Sequence, residues 1–109
     1  MSARLVEEVF ASALPAWVKP FAAAYATFAA DDGSRVYPSI RTIARMVSRH
    51  PRRAQYATAV LRDLGVLREV EISRRHTSTE YHFHADQLPR TADGAQFLLR
   101  FPQAERKVG

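Results

Sequence analysis

The chain has 109 residues, 47% of them hydrophobic, enough for one domain with one modest core and too few for two. Its 16 Lys and Arg against 11 Asp and Glu give a formal charge of +5 and an isoelectric point near 10.2, which points to polyanionic partners. The lack of cysteine excludes a disulfide framework, a thiol nucleophile and a Cys-based zinc site, and no apolar run reaches the roughly 18 to 20 residues of a membrane-spanning helix.

Residues 1–14 read as an N-terminal extension with helical potential, apolar at Leu5, Val6, Val9 and Phe10. Glu7 and Glu8 interrupt that stretch, unlike a signal peptide, so a soluble, cytoplasmic, nucleoid-associated protein is expected. Ser12 and Pro15 mark the entry to an alanine-rich helix, with Pro20 delaying its regular part. Trp17, Phe21, Tyr25 and Phe28, spaced by four, four and three, are expected on its core face. Asp31-Asp32-Gly33-Ser34 ends it with turn formers, and Val36-Tyr37 before Pro38 reads as extended.

Ser39 is a candidate cap for a short second helix with Ile40, Ile43, Ala44 and Val47 buried. Ser48-Arg49-His50 breaks it. Pro51 starts a third helix, with Ala54, Ala57, Thr58, Leu61 and Leu64 inward and Gly65 as its stop. The period then turns to two: Val70 and Ile72 face one side and Glu69, Glu71 and Ser73 the other. After a loop at 74–79, Tyr81 and Phe83 point inward with Glu80, His82 and His84 outward, which makes a hairpin. Residues 15–86 form the expected domain and 87–109 a tail with an apolar patch at Phe97, Leu98, Leu99 and Phe101.

From Gly33 to Arg62 there is no acidic residue, yet Arg35, Arg41, Arg45, Arg49, Arg52, Arg53 and Arg62 all fall there. An ordinary solvated surface mixes signs, so this clustering favours phosphate contact. Arg41, Arg45 and Arg49, spaced by fours, are expected on one face of the second helix without acidic partners at i+4. On the third helix, inward Ala54, Thr58 and Leu61 place Arg52, Tyr56, Ala59 and Asp63 opposite, with Gln55 on the flank. Arg bonds guanine and Gln bonds adenine through paired hydrogen bonds, so Arg52 and Gln55, with Tyr56 beside them, are the candidate base contacts. Arg35, Ser39, Arg41, Arg45, Arg49, His50 and Arg53 are the candidate backbone contacts, and Arg74, Arg75 and Thr77 those of the hairpin loop.

The strings Tyr37-Pro38-Ser39-Ile40, Thr42-Ile43-Ala44, Arg52-Arg53-Ala54-Gln55, Leu61-Arg62-Asp63-Leu64-Gly65-Val66-Leu67 and Tyr81-His82-Phe83 together resemble the winged helix-turn-helix family. Its members occur among bacterial and phage replication initiators and transcriptional regulators. The resemblance implies an α+β, mainly α fold, three helices with a C-terminal hairpin wing, and sequence-specific binding of double-stranded DNA in transcription regulation or plasmid or phage replication. It also places Ala44 where a small residue lets the second and third helices approach. Ser48 stands where that family often has glycine, and His50-Pro51 where it usually has a Ser cap.

His82 and His84 lie two apart, with His76 nearby, but convergent third and fourth ligands are not evident, so no metal is expected. Hydrolase, metalloprotease and phosphate-loop motifs are missing, so neither catalysis, a cofactor nor a small-molecule ligand is expected. The rival reading is a protein-interaction or RNA-binding module on the same scaffold. The terminal apolar segments, Leu5 to Phe10 and Phe97 to Phe101, either pack on each other or build a homodimer seam.

Overall fold

A computed structural model describes residues 2–70 and 79–90. The chain is α+β and mainly helical, with α1 (Ala3–Ala11), α2 (Lys19–Phe28), α3 (Ile40–Val47), α4 (Pro51–Leu64), β1 (Leu67–Glu69) and β2 (Tyr81–Phe83). A 3₁₀ turn at Ala85–Gln87 follows. No helix among the described residues is long and apolar enough to cross a membrane.

The strands pair antiparallel, Leu67 with Phe83, Arg68 with His82 and Glu69 with Tyr81. On the other side of β2, Val36 bridges Tyr81 through N–H···O bonds of 3.2 and 2.6 Å. The extended piece before Pro38 therefore closes onto β2 as a one-residue third strand. Leu67, Tyr81 and Phe83 are buried while Arg68 and Glu69 are exposed, so Leu67 is the β1 residue that joins the core. Ile72 and the remainder of 71–78 lie outside the described residues, as do Phe97 to Phe101.

Helix α1 starts where the Ser2 hydroxyl accepts the Leu5 N–H at 3.2 Å, satisfying one of the donors a helix start leaves unpaired. Leu5 and Val9, one turn apart, are buried in the same core as Phe21 and Tyr25. Arg4 donates to the Asp31 carbonyl at 2.6 Å, and Lys19 to the Phe10 carbonyl at 3.0 Å. These bonds tie α1 antiparallel along α2. The Ala13 N–H donates to the Pro89 carbonyl at 2.8 Å, and Pro89 is buried. The core thus extends beyond 15–86 on both sides and takes in Leu5 and Val9.

Pro20 occupies the first turn of α2, where its missing N–H leaves no bond unmade. Trp17 therefore lies in the preceding turn, closed by the Val18 N–H on the Pro15 carbonyl at 2.9 Å, and is still buried. Phe21 and Tyr25 are buried as expected, but Phe28 is 40% exposed, a correction to its assignment to the core. It shares their azimuth but falls one turn beyond Tyr25, in the last turn of α2, where it lines an open cleft.

Tyr25 joins the layers. Its hydroxyl lies 2.8 Å from Thr58 Oγ1 on α4 in a buried hydrogen bond, and Thr58 in turn donates to the Ala54 carbonyl at 2.8 Å. Its ring meets Tyr81 of β2 edge-on, centroids 6.0 Å apart at 82°. Burial pushes the Tyr25 hydroxyl up from 10.0 to about 12, with the Thr58 bond opposing that shift.

The turn before Val36 is as tightly set. Asp32 accepts the Ser34 N–H at 2.9 Å and the Ser34 hydroxyl at 2.6 Å. These bonds hold the Asp32 carboxyl below its usual range. Gly33, at φ +88°, accepts the Phe83 N–H at 2.7 Å, and a Cβ here would collide with the Phe83 carbonyl.

Gly33→Ala should lower stability by about 2 to 4 kcal/mol, read as a fall in urea midpoint, because it combines a left-handed backbone with a backbone clash. Tyr25 supplies a pH signature. Its raised folded value means that its contribution is full below pH 10.0 and is lost as pH rises toward about 12. Unfolding free energies across that window should decline less in Tyr25→Phe than in the parent chain, by on the order of 2 kcal/mol.

Candidate nucleic-acid interface

Helices α3 and α4 are joined by the three residues Ser48, Arg49 and His50. Ser39 caps α3, its hydroxyl accepting the Thr42 N–H at 3.1 Å. At the other end Ser48 adopts the left-handed conformation, φ 59° and ψ 46°. The Ser48 N–H then donates to Arg45 at 3.1 Å and the Arg49 N–H to Ala44 at 3.0 Å, which closes orphan carbonyls of the helix end. Glycine does this at lower cost, so Ser48 stores strain. His50 restarts the chain as cap of α4, its Nδ1 accepting the Arg52 N–H at 3.1 Å, with Pro51 at the first helical position. Ala44 of α3 is buried.

The buried residues of α4 are Ala54, Ala57, Thr58, Val60 and Leu61, so Arg52, Gln55, Tyr56, Ala59 and Asp63 form a continuous exposed row on the opposite side. Tyr56 is 45% exposed. All three residues expected to contact bases thus share one face, in the N-terminal half of the helix.

The residues expected to contact the backbone divide. Arg41 and Arg45 are exposed, one turn apart on α3. Arg49 does not continue that row, a correction: α3 ends at Val47, and left-handed Ser48 swings Arg49 off the helix axis. Arg35 is exposed and itself left-handed, φ 65°. Arg53 is half-buried with its guanidinium 5.8 Å from the Trp17 ring centroid, a cation–π contact that fixes its direction. The Ser39 hydroxyl and the His50 ring serve as caps. Arg62 is drawn off by Glu69, 2.7 Å away. Among the described residues, Arg35, Arg41, Arg45, Arg49 and Arg52 have no ion-pair partner. Arg74, Arg75 and Thr77 lie outside the described residues.

His82 and His84 have ring centroids 6.1 Å apart, His84 stands 4.0 Å from Asp86, and no group of three or more His, Asp or Glu among the described residues could hold a metal.

One feature escapes the sequence reading. A cleft of about 380 Å³ opens beside the start of α3, lined by Phe28, Arg35, Tyr37, Pro38, Ser39 and Thr42, with Tyr37 57% exposed. Its signal was the Val36-Tyr37-Pro38 string: an extended residue buries one neighbour, here Val36, and turns the next outward.

The chain matches no known protein-family model, no curated protein and no solved structure.

Ser48→Gly should raise stability by about 0.5 to 1 kcal/mol by relieving the left-handed strain. A rise in denaturant midpoint without a change in slope checks it.

Proposed function

We propose that this chain is a winged helix-turn-helix module that binds double-stranded DNA sequence-specifically, with α4 in the major groove. The observation that carries the reading is the exposed row Arg52, Gln55, Tyr56 and Ala59 on the helix that follows a tight left-handed turn, flanked by arginines that have no ion-pair partner among the described residues. A helix so placed fits the major groove, where its N-terminal residues reach base edges.

The roles follow from chemistry. Arg52 donates two hydrogen bonds to guanine O6 and N7, and Gln55 pairs with adenine N6 and N7. Arg41 and Arg45 lie on the exposed side of α3 and neutralise phosphates, releasing counterions, with Arg35 and Arg49 at either end of that helix extending the contact. Asp63, near the C-terminus of α4, repels phosphate and orients the helix with its N-terminal half toward DNA. The hairpin that follows α4 stands as the wing, with Arg74, Arg75 and Thr77 of its loop on the flanking backbone or minor groove. Transcriptional regulation and plasmid or phage replication both use such a module.

Selection of bound duplexes from a random pool tests this. The parent chain should enrich a defined motif, and Arg52→Ala should relax it at one position, at a cost of about 1 to 3 kcal/mol. Arg45→Ala should weaken all sequences alike and reduce the salt slope by about 1. A pool without enrichment at any salt contradicts sequence-specific reading.

A further inference from the structure

We propose that the cleft beside α3 takes one unpaired base of the bound DNA strand, stacked on Tyr37 and Phe28, with the Arg35 guanidinium on the adjoining phosphate. Its placement on DNA rests on the duplex reading of α4, and it narrows the ligand to DNA carrying an unpaired tail or a base displaced from its partner.

Two large aromatic side chains, Phe28 at 40% and Tyr37 at 57% exposure, line one cleft instead of closing into the core that takes Phe21 and Tyr25. Aromatic faces of this kind are sequence-tolerant platforms for bases, since every base has a π-face. The charge on the cleft lining is of one sign, from Arg35. Arg35 lines it without an ion-pair partner among the described residues, and the segment from Gly33 to Arg62 holds no carboxylate, so the complementary ligand is anionic as well as aromatic. A nucleotide is both. The Ser39 and Thr42 hydroxyls, 3.0 Å apart, add polar groups at the wall for a base edge. Met46, one turn after Thr42 on α3, is also exposed, and Arg41 and Arg45 are exposed on the neighbouring side of that helix. An unpaired strand leaving a duplex held by Arg41 and Arg45 therefore has a stacking surface next to its phosphate contacts.

The test compares a blunt duplex, the same duplex with a short unpaired tail bearing 2-aminopurine, and the tail alone. Each is titrated with the parent chain, Tyr37→Ala, Tyr37→Phe and Arg52→Ala. The tailed duplex should bind about ten-fold tighter than the blunt one, the scale of one stacked base, and quench the probe. Tyr37→Ala should abolish both the advantage and the quenching while leaving blunt-duplex affinity and melting temperature unchanged. Tyr37→Phe should restore them. Arg52→Ala should weaken both duplexes by the same factor and keep the tail's advantage. Failure of the duplex reading has a different signature: the blunt duplex does not bind, yet the tail alone binds with Tyr37-dependent quenching, which sustains base capture by the cleft. Equal affinity for blunt and tailed duplex with an unquenched probe overturns the proposal and leaves the cleft to a protein partner.

Discussion

The buried hydrogen bond between Tyr25 and Thr58 sets the orientation of everything that faces outward. A hydroxyl removed from water must find a partner or cost about 1 to 3 kcal/mol, and each of these two has the other. Because Thr58 lies midway along α4 and Tyr25 midway along α2, the bond fixes the rotation of α4 about its axis as well as its position. With Thr58 inward, Arg52, Tyr56 and Ala59 have no direction left but outward. The Tyr25 ring against Tyr81 carries the same constraint into the sheet, so α2, α4 and β2 lock around one side chain.

Around this rigid centre, the strained and charged parts are peripheral. Left-handed Ser48 and Arg35 stand on either side of α3, in the two segments that join it to α4 and to Val36. A left-handed non-glycine residue persists only where its surroundings over-determine it. Here the paired backbone bonds after Ala44 and the bridge of Val36 to Tyr81 do so. Arg35, Arg41, Arg45, Arg49 and Arg52, by contrast, have no ion-pair partner among the described residues. The proposed DNA ligand supplies the countercharge they lack.

Much of this was legible in the sequence because the signals were local. Ser39 and Gly65 mark helix ends by cap and stop chemistry, Pro51 a helix start, and the spacing of Ala54, Ala57, Thr58 and Leu61 gives the inward face of α4 without reference to any other element. The shift from helical to alternating period after Gly65 gave the hairpin. What escaped depended on neighbours distant in sequence. Phe28 fits the apolar stripe, but its burial depends on what lies one turn past Tyr25, which no spacing encodes. Arg49 fits an i+4 row until Ser48 turns left-handed, and serine does not announce that as glycine would. Neither the commitment of Leu5 and Val9 to the core nor the cleft of Phe28 and Tyr37 can be read locally, since each needs the fold assembled first. The arginine cluster was visible as composition, yet only the fold draws Arg62 to Glu69 and Arg53 to Trp17.

The account is tested most directly by following backbone amide resonances while titrating the chain with duplex DNA bearing its selected site. Binding through α4 predicts the largest shifts at Arg52, Gln55, Tyr56 and Ala59, with smaller ones at Arg41 and Arg45 and none along α1. Perturbations concentrated on α1, or spread evenly without reference to α4, would contradict it.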